Sequence, residues 1–201
     1  MLMLGGGALA ALAAVVVIVA LLGLGGGGPS PEEVRADLEA AGCTLQAVKA
    51  QPGNHSLAED ETAKWNTDPP TNGPHFGFDQ NQALGTVIWG AYTEPLQLAR
   101  VVHNLEHGGV YIFYGDEVPE PVFEQLRTFY ERHQNGTLLA PYPKLGDKIA
   151  LGAWVADAEE GKGYLAKCTA FDEGAFSAFF DAFQFKGPER FPAGSLLPGR
   201  G

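Results

Sequence analysis

The chain has 201 residues, a formal net charge of −11 and 45% apolar residues. This length suits one domain of ordinary size with an appendage, and the apolar share is large enough for a hydrophobic core. Lys and Arg are scattered singly and are outnumbered by acidic residues, 13 to 24. The surface therefore repels phosphate backbones, which excludes nucleic acid as the main partner.

Residues 1–24 contain no charged side chain. About 24 helical residues span about 36 Å, which is enough to cross the hydrocarbon core of a bilayer. We therefore predict a single-pass transmembrane anchor over 1–24. A cleaved signal peptide is the alternative, but it would have a basic start and a shorter apolar core, and no Lys or Arg precedes this run.

The residues after the anchor favour a domain on the outer side of the cell membrane. The first basic residue, Arg35, stands among four acidic residues, Glu32, Glu33, Asp37 and Glu39. Segments that stay in the cytoplasm usually carry an excess of basic residues near the membrane. We expect an extracytoplasmic domain held at the membrane by its N-terminal helix, and the sequence does not show whether it has a protein partner.

The folded domain begins with a helix and a strand. Residues 25–30 form a Gly/Pro-rich linker, and Ser30 with Glu33 forms the S-x-x-E pattern of a capping box. Gly42 is suited to end this helix. The segment 43–50 then predicts a strand.

Residues 51–90 form a long loop-like insertion without a clear helix or strand pattern. Beyond it, apolar periodicity predicts three further helices and three further strands. The helices span 94–107, 119–135 and 171–185, and the strands span 110–115, 137–143 and 148–156.

This order of elements predicts an α/β fold. It is typical of a thioredoxin-like core with a long loop insertion, and a generic α+β sandwich is the alternative. We expect one domain over 31–192, followed by a C-terminal tail over 193–201.

The two cysteines, Cys43 and Cys168, are far apart and belong to no C-x-x-C pattern. This argues against a thioredoxin-type redox dithiol and against a Cys-rich zinc site. An even number of cysteines in an extracytoplasmic domain favours a disulfide between them. The alternative is a pair of buried thiols that act as small apolar side chains.

Four of the five histidines are candidates for a metal site. His103 and His107 are four residues apart, so the predicted helix presents both on one face, where two imidazoles can bind one ion. They lie in the last helical turn, where the helix dipole favours a cation. Glu106 can act as a further ligand or can orient an imidazole. His75 ends the rigid loop "PPTNGPH", and His55 lies in the same insertion.

We predict a transition-metal site made of His75, His103 and His107, completed by His55 or Glu106. Imidazole ligands suit zinc and copper. Both methionines, Met1 and Met3, lie in the predicted anchor, so no methionine can bind copper(I) in the domain. The fifth histidine, His133, is interpreted as a solvated residue near a helix end.

The string "HNLEH" also matches H-x-x-E-H, the inverted zinc-peptidase order. In that chemistry His103 and His107 would hold zinc, Glu106 would activate water, and a distal acid such as Glu124 or Glu131 would be the third protein ligand. The match covers only five residues, and proteins of that class have larger domains. A Gly-Gly pair also ends the helix directly after the motif.

Several strings resemble one family of bacterial proteins: "DPPTNGPHF", "WGAY", "VVHNLEHGGVYIFYG", "IALGAWV" and "FQFKGPERF". The family is an uncharacterised, actinobacterial-type group of membrane-anchored domains of unknown function with PPTSGPH and HNLEHG motifs. The resemblance covers roughly residues 43–192, and Asn72 stands where the family usually has Ser. It implies a membrane anchor and an exported domain but no established activity.

The resemblance places four candidate ligands, His75, His103, Glu106 and His107, at hallmark positions of the family. His55 lies where the family commonly has a histidine. These positions coincide with the candidate metal ligands, and the resemblance itself assigns no metal to them.

Three hypotheses follow for the function. The first is a membrane-anchored domain that binds a transition metal through its histidines. The second is a non-catalytic interaction module of the cell envelope, in which the histidines are structural and the aromatic residues of the insertion form the partner surface. The third is a metallohydrolase, although we expect the protein not to be an enzyme.

Overall fold

The computed structural model describes residues 28–55, 63–77, 85–157 and 161–201. Within these ranges four α-helices and one six-stranded sheet form a mixed α/β fold, as predicted. The helices are α1 (Pro31–Ala40), α2 (Leu98–Glu106), α3 (Glu120–Arg132) and α4 (Glu173–Phe183). The strands are β1 (Cys43–Lys49), β2 (Gly90–Ala91), β3 (Val110–Tyr114), β4 (Thr137–Pro141), β5 (Ile149–Val155) and β6 (Lys162–Cys168).

The strands follow the order β1-β6-β5-β3-β4-β2 across the sheet. β3 and β4 are parallel and are connected through α3, whereas β5 runs antiparallel to both β3 and β6. β6 was not predicted, because "KGYLAKC" mixes two lysines and a glycine with its apolar residues and has no strong alternation. β1 is predicted to start a thioredoxin-like order, but it is an edge strand that pairs antiparallel with β6.

The helices begin where local chemistry favours them. In α1, Glu33 N donates to Ser30 Oγ at 3.3 Å and Ser30 N donates to Glu33 Oε2 at 2.8 Å, so the predicted capping box is confirmed. α2 begins at Leu98, later than the predicted 94, because Pro95 disfavours helical geometry at the residue before it.

Apolar side chains alternate between the two faces of the sheet. Val110 and Ile112 of β3 pack in a core covered by α1, α3 and α4, whereas Tyr111 and Phe113 pack in a second core that includes residues of α2. This alternation is what the two-residue period of a strand requires. We call the first the apolar face and the second the α2 face.

A disulfide joins Cys43 to Cys168. These two residues lie directly opposite each other in the pairing of β1 with β6. The predicted disulfide is therefore confirmed, and it fastens the edge strand to the rest of the sheet.

The predicted anchor over 1–24 and the first part of the linker, 25–27, lie outside the described residues. Among the residues that are described, no helix is long and apolar enough to cross a bilayer. At the other end of the chain, the segment 193–201 packs on the domain: Gly136 N donates to Leu196 O at 2.7 Å, and Gly199 N donates to Trp89 O at 2.9 Å.

Candidate metal centre

Three segments of the chain bring together His55, His75, His103 and Glu106 on the α2 face. Each residue offers one ligand atom, and these atoms all lie within 4.8 Å of one another. The three imidazole rings are mutually adjacent, with centroid distances of 4.8, 5.0 and 4.9 Å. We call these four residues the His/Glu cluster, and its composition can hold a metal ion.

Helix α2 supplies His103 and Glu106. They are three residues apart, so both project from one side of the helix. The helix ends at Glu106, and Gly108 follows with φ of +92°, a conformation that glycine adopts readily at a helix C-terminus. The negative end of the helix dipole therefore lies at the cluster and favours a cation there.

The rigid loop that precedes His75 is fixed by hydrogen bonds. Gln51 N donates to Asn72 Oδ1 at 2.7 Å, so asparagine at this position ties the loop to the end of β1. His75 N donates to Asn54 O at 3.3 Å. This bond places His75 beside the segment that carries His55, which explains how two parts of the insertion meet.

The hydrogen bonds of His75 determine which of its ring nitrogens faces the cluster. Nδ1 lies 2.7 Å from the carbonyl oxygen of Gly73, and since that oxygen can only accept, Nδ1 carries the proton. In a neutral ring Nε2 then bears a lone pair, and Nε2 lies 3.0 Å from Glu106 Oε2. A lone pair and a carboxylate oxygen lie this close only when a proton or a metal ion joins them.

Burial sets the charge of the groups around the centre. Burial, followed by the positive charges that His107 and His75 can carry, lowers the pKa of His103 from 6.5 to about 4. Burial raises the pKa of the Glu106 carboxyl, but its hydrogen bonds with His75 and His55 outweigh this effect and leave the pKa below 4.5. At neutral pH, His103 is thus neutral and Glu106 ionised, which are the forms that bind metals.

Comparison with known proteins assigns the chain to a family. A family profile described as "Protein of unknown function (DUF3105)" matches residues 56–193, which is more than half of the chain. The chain belongs to the DUF3105 family. A search of curated proteins found no match, and a search of solved structures found none either.

The DUF3105 match covers three of the four residues in the cluster. His75, His103 and Glu106 lie inside the matched range, and His55 lies one residue before it. The match confirms the predicted family of unknown function. The motifs and the actinobacterial type stay predictions.

The cluster is buried on the side of His75 and Glu106 and exposed to solvent on the side of His55. The side chains of His75 and Glu106 are 0% and 6% exposed, whereas that of His55 is 42% exposed. A Cβ at Gly77 would overlap His55, and a Cβ at Gly85 would overlap the ring of His103. These two glycines therefore allow the backbone to lie directly against the imidazoles, and the described part of the centre opens to solvent at His55.

The ring of His107 lies 4.6 Å from that of His103 between centroids, but its potential ligand atom is not grouped with those of the four cluster residues. His107 follows the last residue of α2, and its Nε2 lies 3.6 Å from Glu189 Oε2. Its potential ligand atom groups with those of Glu106 and Glu189 instead. Burial lowers the pKa of His107 from 6.5 to about 4. Glu189 was not predicted as a ligand, because it is distant along the chain from "HNLEH" and its string "FQFKGPERF" contains no pattern of metal ligands.

His133 lies at the C-terminal end of α3, as predicted. Its Nδ1 donates to Phe129 O at 2.8 Å and its ring stacks on Phe129. This histidine lies apart from the cluster and can serve as a control in experiments on it.

Glu106 lies near both His103 and His107, but it is not the free base that the hydrolase hypothesis requires. Its side chain is buried, and Oε2 is engaged by His55 and His75. A cavity of about 270 Å³ borders Glu106, between Gly53 and Trp154. The glutamate is thus placed as a member of the cluster rather than as a base next to it.

Proposed function

We propose that this domain binds one transition-metal ion through the three imidazoles and the carboxylate of the His/Glu cluster. The observation that carries the proposal is the contact between His75 Nε2 and Glu106 Oε2 at 3.0 Å. Because the Nδ1 proton is committed to Gly73 O, the contact needs a positive charge at Nε2. A metal ion bound by both atoms supplies this charge, with two further imidazoles close enough to complete its coordination.

The burial of the cluster supports the same conclusion. Buried polar and ionised groups cost free energy unless they are paired or bind a metal. His75 and His103 are both 0% exposed, and Glu106 is 5% exposed. Since apolar residues would stabilise the same positions at lower cost, a bound metal gives these side chains a physical reason to be there.

Zinc or copper fits this set of ligands. Three imidazoles and one carboxylate make up a four-coordinate site of the kind that zinc occupies, and copper also binds imidazole. A tetrahedral zinc with bonds of about 2.0–2.1 Å places its ligand atoms roughly 3.3 Å apart. In this structure the ligand atoms lie within 4.8 Å of one another. Binding zinc therefore requires these atoms to move closer together, which rotation about side-chain bonds allows.

The alternative of an interaction module receives less support. Two aromatic residues of the insertion, Phe76 and Trp89, are 8% and 2% exposed, so they pack inside the domain instead of forming a partner surface. The bond from His75 Nδ1 to Gly73 O fits a structural histidine, but it equally orients an imidazole for metal binding. A metallohydrolase is supported least, because Glu106 is engaged by two histidines.

We also propose that residues 1–24 anchor the domain and that it faces the outside of the cell. The uncharged apolar run and the acidic flank after it support this orientation. The disulfide between Cys43 and Cys168 is typical of an oxidising compartment. In intact cells, an added protease should cleave the domain; a protected domain would contradict this orientation.

A thioredoxin-like core is a further part of the proposal. The parallel pair β3 and β4 with α3 between them, the antiparallel strands β5 and β6, and the final helix α4 support such an arrangement. In this thioredoxin-like arrangement the first strand is β3, whereas the sequence order had predicted β1 in that place. No redox role follows from it, because both cysteines are joined in the disulfide.

Elemental analysis of the full chain, purified without a His-tag, tests metal binding. The wild type should retain zinc or copper in stoichiometric amount, and His103→Gln should lose it. His133→Gln is the matched control, since it removes an imidazole that lies apart from the cluster, and it should retain the metal. Equal and negligible metal in all three proteins would refute the proposal.

A further inference from the structure

Glu106 lies between two groups of potential metal ligands. On one side it contacts His55 and His75 within the cluster. On the other side its ligand atom, together with those of His107 and Glu189, forms a second group within 4.8 Å. A carboxylate has two oxygens and can bind a cation through each of them.

We propose that a second divalent cation binds between Glu106, His107 and Glu189, and that the two ions share the carboxylate of Glu106. This inference rests on the proposed function, because it places the second ion beside the first. Centres with two metals commonly use such neighbouring positions to hold one oxygen ligand between the ions.

The imidazole of His107 points to this second position. Its side chain is 8% exposed, and Nε2 faces Glu189 Oε2 at 3.6 Å, which is longer than a hydrogen bond. Within the described parts of the chain, the ring makes no hydrogen bond. An ion can reach the ring, because its nitrogens are not among the fully enclosed, unpartnered polar atoms of the described residues. A cation between Nε2 and the carboxylate oxygen would bind both groups.

Backbone hydrogen bonds fix the location of Glu189 beside the end of α2. The segment 185–189 crosses the end of α2, where Phe185 N donates to Gly108 O at 2.7 Å and Glu189 N donates to Glu106 O at 3.0 Å. A Cβ at Gly187 would overlap the carbonyl of Glu106, so this crossing is too close for any larger residue. The position of Glu189 is thus set by the fold.

The surroundings favour a cation and limit access by water. Glu106 and Glu189 each contribute a carboxylate here. Among the described residues, Glu189 forms an ion pair with His107. The ring of Phe191 covers His107 at a centroid distance of 4.3 Å. With two carboxylates and one imidazole, the second position is richer in oxygen than the cluster, so it suits zinc or manganese better than copper(I).

Equilibrium dialysis of the full chain against buffered free zinc tests the second position. We expect two zinc ions per wild-type chain and one per Glu189→Gln chain. Glu131→Gln removes the same charge from an exposed site on α3 and should keep two. Because Glu189 is half exposed, its substitution should leave the fold intact, which circular dichroism can verify.

The possible results separate this inference from the proposed function. One zinc in the wild type, unchanged in Glu189→Gln, would overturn the second position and leave the first. Two zinc ions in both proteins would show that Glu189 is not a ligand and would also overturn it. No zinc in the wild type would overturn the second position, and it would overturn the proposed function as well if elemental analysis also finds no copper.

Discussion

The two faces of the sheet bury different chemistry. On the apolar face Phe129, Phe176 and Phe179 are all 0% exposed, and their burial favours folding directly. On the α2 face the equally buried His75 and His103 cost free energy unless they are paired or bind a metal. Both faces bury apolar side chains that stabilise the domain, and the α2 face also buries the groups of the proposed metal site.

The largest expected effect is on the apolar face. Phe176→Ala should lower the free energy of unfolding by about 3–5 kcal/mol, because it removes a fully buried ring. The metal content of each folded chain should not change. Chemical denaturation followed by metal analysis measures both. Phe191→Ala, at a ring that is 41% exposed, is the control and should cost much less; equal losses would contradict the comparison.

The disulfide belongs to the apolar face and should also act on stability alone. Replacing both Cys43 and Cys168 with alanine should lower the free energy of unfolding by about 2–5 kcal/mol. The wild type in reducing buffer should show a similar loss. Metal binding by the folded variant should persist, since both cysteines lie apart from the cluster. A variant that loses its metal while still folded would show that the two faces are coupled.

On the α2 face, Glu106→Gln should weaken the binding of the metal ion. Losing the carboxylate should weaken metal affinity by about 100-fold or more, since even residues that only support a ligand contribute 10–100-fold. Isothermal titration with zinc measures this, with Glu131→Gln as the control for charge. An affinity within about threefold of the wild type would mean that Glu106 is not a ligand.

A pH series should give a smaller and more gradual effect. Burial lowers the pKa values of His103 and His107 from 6.5 to about 4, so the unfolded chain binds these protons at a higher pH than the folded one. The free energy of unfolding of the metal-free protein should therefore fall as the pH drops from about 6.5 to about 4, and their contribution should be constant above that window.

Urea unfolding at several pH values measures this decline. His103→Gln should make it shallower, because it removes one of the two groups whose pKa burial lowers. A decline of the same slope in His103→Gln would contradict the assigned role of burial.

The sequence predicted what depends on local patterns. The capping box at Ser30, the α2 helix and the histidines that it carries all follow from spacing along the chain. His55 and His75 were predicted as candidates by residue type and by the rigid loop, although nothing in the sequence shows that His75 N would bond to Asn54 O and bring them together.

What the sequence did not predict depends on contacts between distant segments. β6 has a weak pattern of its own and is recognised by its pairing with β1 and β5. The grouping of the His107 ligand atom with Glu189 depends on the end of α2 and on the segment 185–189, which brings Glu189 to it. Two histidines four residues apart can share an ion, but the surrounding packing decides whether they do.

X-ray absorption at the metal edge of zinc-loaded Glu189→Gln, which is expected to retain only the cluster site, tests the central claim most directly. The account predicts nitrogen or oxygen ligands at about 2.0–2.1 Å, with the outer-shell scattering of about three imidazoles. His75→Gln should reduce the imidazole scattering or abolish zinc binding. A zinc coordinated by water and carboxylate oxygens alone, or a protein that binds no zinc, would contradict the account.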